Sequence, residues 1–218
     1  MNLHSILLRD KIEALGFDTA ITEKPLSNLI DFNWKNILHA PPKNTSDISY
    51  NELLLISNVT KKRSKIDINN LLELDLDLDS PFIDLLEKRR ITYPYRYISM
   101  FYNIVHPILM NIKSYWNRPR PQQLARFYNI HIDTIITDTI HTPSYPSGHT
   151  VYSSLVSLII KDLYPSVPNT TLDRIVLDTA RARILQGVHF PSDNQASLVF
   201  AQFVFDKLSP KLRKYYNE

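Results

Sequence analysis

The sequence predicts an all-α protein, a compact helical bundle whose functional site lies at helix junctions at one end. Three observations predict it. Four segments carry apolar residues at spacings of three and four, the mark of a helix with one buried face. The polar residues that interrupt these stripes fall at the segment ends. The 218 residues hold only three glycines, Gly16, Gly148 and Gly187, and show no internal repeat.

Residues 5–16 read as a short helix stopped by Gly16. Residues 17–47 read as irregular, with a clear loop over the run APPKNTSD. Residues 48–62 read as a helix followed by a solvated basic run, KKRSK. From Leu72 to Asp79 leucine and aspartate alternate, a period of two that fits a strand. Asp75, Asp77 and Asp79 lack the glycine and terminal glutamate of a calcium loop, so no metal site is expected there. Pro81 opens the next helix.

The four periodic segments follow. Over 97–116 the stripe is Ile98, Phe101, Ile104, Val105, Ile108, Leu109 and Ile112, with Pro107 placed to kink it. Over 150–163 it is Val151, Leu155, Leu158, Ile159 and Leu163. Over 171–186 it is Leu172, Ile175, Val176, Thr179 and Ala182, with Thr170 and Asp173 spaced as a capping box and Gly187 as the stop. Over 192–208 it is Ala196, Val199, Phe200, Phe203 and Val204. The chain reads as a single domain, with residues 1–47 packing on a core of 48–218.

Composition removes several function classes. Without cysteine there is no disulfide, thiolate metal site or cysteine nucleophile. Three scattered glycines cannot build a P-loop or a dinucleotide fingerprint. A net charge of +3 from 25 basic and 22 acidic residues gives no basic face for nucleic acid. The N-terminus lacks the apolar stretch of a signal peptide. The most apolar segment, Tyr97 to Ile112, is broken by Asn103, His106, Pro107 and Asn111, too polar for a transmembrane span. A soluble, cytoplasmic protein is expected.

The helix ends carry the chemistry. Lys113 closes the 97–116 stripe, and Arg120 stands on a rigid loop between Pro119 and Pro121. Pro146, Ser147, Gly148 and His149 directly precede an apolar helix, whose unpaired N–H groups suit an anion. Arg183 lies in the last turn of the next helix, His189 in the loop after Gly187, and Asp193 in the first turn of the last helix. If these junctions meet, they surround a tetrahedral anion such as phosphate.

The segments KSYWNRPRP (113–121), PSGH (146–149) and ARILQGVHFPSD (182–193) resemble, in order and spacing, the three signature motifs of the type 2 phosphatidic acid phosphatase and vanadium haloperoxidase superfamily. Among its members the chain is most similar to soluble class A bacterial acid phosphatases. The intervals between motifs are 24 and 32 residues, and about ten fixed positions match. One position departs: Ala182 stands where the motif has serine.

The resemblance implies roles. His189 is the nucleophile that forms a phosphohistidine, Asp193 orients it, and His149 protonates the leaving group. Lys113, Arg120, Arg183, the Ser147 hydroxyl and the Gly148 N–H hold the phosphate oxygens. No metal and no cofactor is required. The expected function is hydrolysis of phosphate monoesters, with pyrophosphate or lipid phosphate as related substrates. The alternatives are a vanadium-dependent haloperoxidase, with vanadate held by the same residues, and an inactive phosphate- or phospholipid-binding module. The expected partner is a phosphorylated small molecule or lipid, and a homo-oligomer is compatible with the pattern. Arg118, His141, Tyr145 and Gln186 read as supporting residues, and His106 as structural. The 40–47 loop is expected to border the substrate entrance.

Overall fold

The computed structural model describes residues 3–16 and 33–216. Among these every regular element is a helix. In order they are α1 (Leu3–Glu13), α2 (Asp47–Lys61), α3 (Lys65–Leu76), α4 (Ser80–Glu87), α5 (Tyr95–Trp116), α6 (Pro121–Ala125), α7 (Gly148–Leu163), α8 (Asn169–Leu185) and α9 (Pro191–Tyr216). The part of the expected irregular segment that spans 17–32 lies outside the described residues.

α7 is the central helix. It packs on α8 and α9, and α5 packs on both α7 and α9. The reason is visible in its sequence: Val151, Leu155, Val156, Ile159 and Ile160 are buried together with Ser153, Ser154 and Ser157. Small serines let neighbouring helices approach, and two of the three hydroxyls find partners: Ser154 Oγ donates to the Thr150 carbonyl at 2.6 Å and Ser153 Oγ to Thr179 Oγ1 at 3.3 Å. The main core adds Tyr97, Phe101 and Ile112 from α5, Phe82 and Leu86 from α4, and Phe200, Val204 and Leu208 from α9. Each such side chain contributes roughly 1.5–3 kcal/mol on burial. A second cluster of Ile12, Leu53, Ile56, Leu124, Ile132 and Phe190 joins α1, α2 and α6 to the loop before α9.

Three local expectations change. The Leu/Asp alternation is not a strand: α3 runs through Leu76, capped by a reciprocal Ser64–Asp67 box. Once the chain is helical, Leu71 and Asp75 are one turn apart, on the same face, and both are buried. The Thr170–Asp173 capping box does not form. α8 starts at Asn169 after Pro168 with no side-chain cap, and Asp173 pairs with Lys161 instead. α9 continues past 208 to Tyr216, because Leu208 and Leu212 extend its buried stripe. The stop at Gly187 is as read, with φ +77. A Cβ there would also come within 2.8 Å of Ile132 Cγ2.

No helix among the described residues is long and apolar enough to cross a membrane.

Candidate active site

Three helix junctions converge. The first is the end of α5. Lys113 lies in its last turn, Asn117 adopts a left-handed conformation that turns the chain (φ 42), and Arg118-Pro-Arg-Pro follows. The prolines restrict this loop, and Gln123 fixes its end by accepting from the Arg120 N–H at 2.8 Å. The second junction is the start of α7, and the third is the loop from α8 to α9. Lys113, Arg120, Arg183 and His189 are each no more than 2% exposed.

The contacts among them are specific. Arg120 Nη1 is 2.9 Å from His189 Nε2 and also donates to the Val188 carbonyl at 3.0 Å. Arg120 Nε donates to the Thr142 carbonyl at 2.8 Å. Lys113 Nζ donates to the Pro143 carbonyl at 2.6 Å. His189 Nδ1 faces Asp193 Oδ2 at 3.2 Å, and the same oxygen accepts the Phe190 N–H at 2.9 Å. A guanidinium has only donors, so Nε2 of His189 is the acceptor and Nδ1 carries the proton.

Behind the histidine lies a second set of charges. Asp193 Oδ1 accepts from Arg118 Nη1 at 2.6 Å, and Arg118 Nη2 reaches Glu52 Oε2 at 3.3 Å. Glu52, on α2, accepts from the Ser192 N–H and hydroxyl at 2.7 and 2.8 Å. The Arg118 guanidinium lies 3.9 Å from the centre of the Phe190 ring. Arg118 is therefore the ion-pair hub of the site, a stronger role than its place beside the motif suggests. Glu52 left no signal in the sequence, because its partners are more than 60 residues away.

Electrostatics favour a neutral His189 imidazole. Burial pushes the His189 imidazole well below its ordinary range, and Arg120, Lys113 and Arg183 push it further. Burial also lowers His149. Burial and the repulsion of Arg183 bring Arg120 down to about 9. Burial, then Arg120, lowers Lys113 well below the usual lysine range.

A cavity of about 660 Å³ opens over this cluster. Lys113, Arg120, Gly148, His149 and His189 line its floor, and Leu109, Met110, Tyr102 and Tyr152 give it an apolar wall. Ser147, Arg183 and Asp193 are not part of its surface. Ser147 is fully buried as the N-cap of α7, and its hydroxyl accepts from Thr150 Oγ1 at 3.1 Å. A Cβ on Gly148 would meet Leu109 Cδ2 at 3.6 Å, an ordinary contact, so the surrounding protein does not itself demand glycine there.

Other readings shift. His106 and His141 both line the cavity. Tyr145 and Gln186 do not: the Tyr145 hydroxyl donates to the His39 carbonyl at 2.7 Å, and Gln186 Nε2 to the Leu71 carbonyl at 2.9 Å. The 40–47 loop is absent from the cavity lining. It is held instead against α1, where Asn44 Nδ2 donates to the Ile12 and Leu15 carbonyls at 3.0 and 2.9 Å. Sequence reading missed one cavity residue of consequence, Asp75, whose signal was its spacing of four from Leu71.

Comparison with known proteins bears on the family and the fold. The family model of the PAP2 superfamily matches residues 97–205, half of the chain. The fold is similar to a solved structure described as the first transmembrane PAP2 type phosphatidylglycerolphosphate phosphatase from Bacillus subtilis. The TM-score is 0.54 at 14% identity, covering 78% of this chain and 88% of that one. At that identity the likeness is one of fold. No curated protein sequence matches the chain.

Proposed function

This chain belongs to the PAP2 superfamily, and from that membership we propose a metal-independent phosphatase that hydrolyses phosphate monoesters through a phosphohistidine on His189. The observation that carries the proposal is the state of His189. Its Nδ1 proton rests on Asp193 and its Nε2 lone pair meets Arg120 at the floor of the cavity.

The steps follow from that geometry. A phosphate entering the cavity meets the donors of Arg120 and Lys113, which are lost to the protein and regained on the phosphate oxygens. Drawing Arg120 onto the phosphate frees Nε2 to attack phosphorus. The Nε2–P bond forms as the P–O bond to the alcohol breaks, and the leaving oxygen takes a proton from His149. The Asp193 carboxylate stabilises the charge that develops on the His189 ring. Water then attacks phosphorus, gives its proton to His149, and restores His189 with release of phosphate. Each well-placed cation on the non-bridging oxygens is worth roughly 3–4 kcal/mol in the transition state. Arg183, the Ser147 hydroxyl and the Gly148 N–H are assigned to the phosphate as well. For Arg183 and Ser147 this role requires the side chains to turn from their present partners.

The apolar wall of Leu109, Met110, Tyr102 and Tyr152 supports an alcohol with a hydrocarbon or aromatic body. The setting we propose is soluble, and recovery of the protein in a membrane fraction would overturn it. The test of the function is hydrolysis of an aryl phosphate and a short-chain lipid phosphate, with EDTA present, by the wild type and His189→Ala. The expected result is EDTA-resistant turnover lost in the variant. Equal turnover by both proteins would overturn the reading.

A further inference from the structure

Asp75 lies on α3, outside the residues matched by the family model, yet it reaches the centre of the site. Its Oδ1 stands 3.1 Å from His149 Nε2 and also pairs with Arg183 Nη1. Thr139 Oγ1 donates to the carboxylate at 3.1 and 3.3 Å and accepts from Arg183 Nη2 at 3.2 Å. The Asp75 side chain is 3% exposed, and it lines the cavity where Arg183 does not. Asp75 therefore stands between the Arg183 guanidinium and the cavity, against the histidine assigned as the acid.

We infer that Asp75 is a positioning residue that holds the proton of His149 and anchors Arg183, tying α3 to the leaving-group step. The reason is charge. The Arg183 guanidinium on α8 opposes a charge on His149, and Lys113 on α5, Arg120 on its loop and the neutral His189 line the same cavity. Also lining the cavity are Tyr152 on its own helix, Tyr102 and His106 on α5, His141, and the side chains of Asp77, Asp79 and Asp138. Among these, Asp75 alone puts a carboxylate within 4 Å of the imidazole. Burial opposes a charged imidazole, Arg183 opposes it too, and Asp75 is what works the other way. Burial would likewise raise the Asp75 carboxyl, but His149 and Arg183 outweigh it and hold the carboxylate ionised. When the leaving oxygen takes the His149 proton, the imidazole becomes neutral and the Asp75–Arg183 pair remains, so no charge is left unpartnered.

This inference rests on the proposed hydrolase, and its test separates the two. The His149 imidazole is titrated by NMR in ¹⁵N-histidine-labelled full-length protein, assigned with His149→Gln, in the wild type, Asp75→Asn and Asp75→Glu. Removal of an opposite charge at this distance lowers a pKa by about one unit or more, so the His149 titration moves acid by that amount in Asp75→Asn. Asp75→Glu restores most of it, and the basic limb of kcat/KM moves with the titration. If Asp75→Asn does not fold, Asp75→Ser serves, with a shift of the same sign. An unmoved or alkaline-shifted His149 titration in a folded variant overturns the inference. A shifted titration in a protein without His189-dependent turnover overturns the hydrolase reading and leaves the Asp75–His149 link standing.

Discussion

Arg120 Nη1 stands 2.9 Å from His189 Nε2, and this contact fixes which nitrogen of the histidine is basic. Because the guanidinium can only donate, the imidazole presents its lone pair toward the cavity and its proton toward Asp193, 3.2 Å away on the other side. The Arg120 guanidinium thus covers the basic nitrogen of His189.

The pair gives the first prediction. His189→Ala should lower kcat by roughly 10⁴–10⁶, because it removes the imidazole assigned to form the bond to phosphorus. Asp193→Asn should lower it by about 10⁴ through loss of the tautomer. Steady-state kinetics on an aryl phosphate checks both, and a loss of less than about tenfold in either variant would count against the assignment.

The pH dependence has a defined sign. His189 must be neutral to attack, so rate falls as pH drops through its pKa, which burial and three neighbouring cations depress. His149 must be protonated to act as the acid, so rate falls as pH rises through its own pKa, which burial also depresses. Both limbs of kcat/KM therefore lie below the ordinary histidine value of about 6.5. A pH–rate profile should peak on the acid side of that value. A maximum at alkaline pH would contradict the roles.

Arg118 separates stability from chemistry. It is buried, lies off the cavity surface, and joins Asp193 to Glu52. Arg118→Met leaves the buried Asp193 and the half-buried Glu52 carboxylates without their cation and should cost about 3–5 kcal/mol. Arg118→Lys should recover only part of this, since one ammonium cannot reproduce the fork. Denaturant unfolding of the two variants checks the order.

Gly187 is the last position tested. At φ +77 a side chain is strained, and its Cβ would also stand 2.8 Å from Ile132 Cγ2. Gly187→Ala should destabilise by about 1–3 kcal/mol. Combining it with Ile132→Ala removes the clash but not the backbone strain, so the added cost in the double variant should fall short of the sum.

How much of this was legible in the sequence depended on how local each signal is. Lys113, Arg120, His149, Arg183, His189 and Asp193 stand at helix ends, where an apolar stripe gives way to charge, and the structure brings all six together. Asp75 was hidden by its setting. Alternation with leucine suggests a strand, and only after α3 is wound does the residue fall on the face of Leu71 and point at Arg183. The resemblance implied the Ser147 hydroxyl as a phosphate donor, yet at the N-cap of α7 that hydroxyl accepts from Thr150. Glu52 and Thr139 could not be seen, since their partners are set by packing between distant segments. The 40–47 loop was misplaced for the same reason: Asn44 binds the end of α1, a contact no local pattern encodes.

The central claim is a covalent phosphohistidine, and trapping it is the most direct test. The enzyme is mixed with aryl phosphate, quenched in alkali within milliseconds, digested and sequenced by mass spectrometry. The account predicts one phosphate on His189, formed in the wild type, accumulating in His149→Ala with an activated leaving group, and missing in His189→Ala. Full turnover with no phosphoenzyme at any time, or phosphate on a different residue, would contradict it.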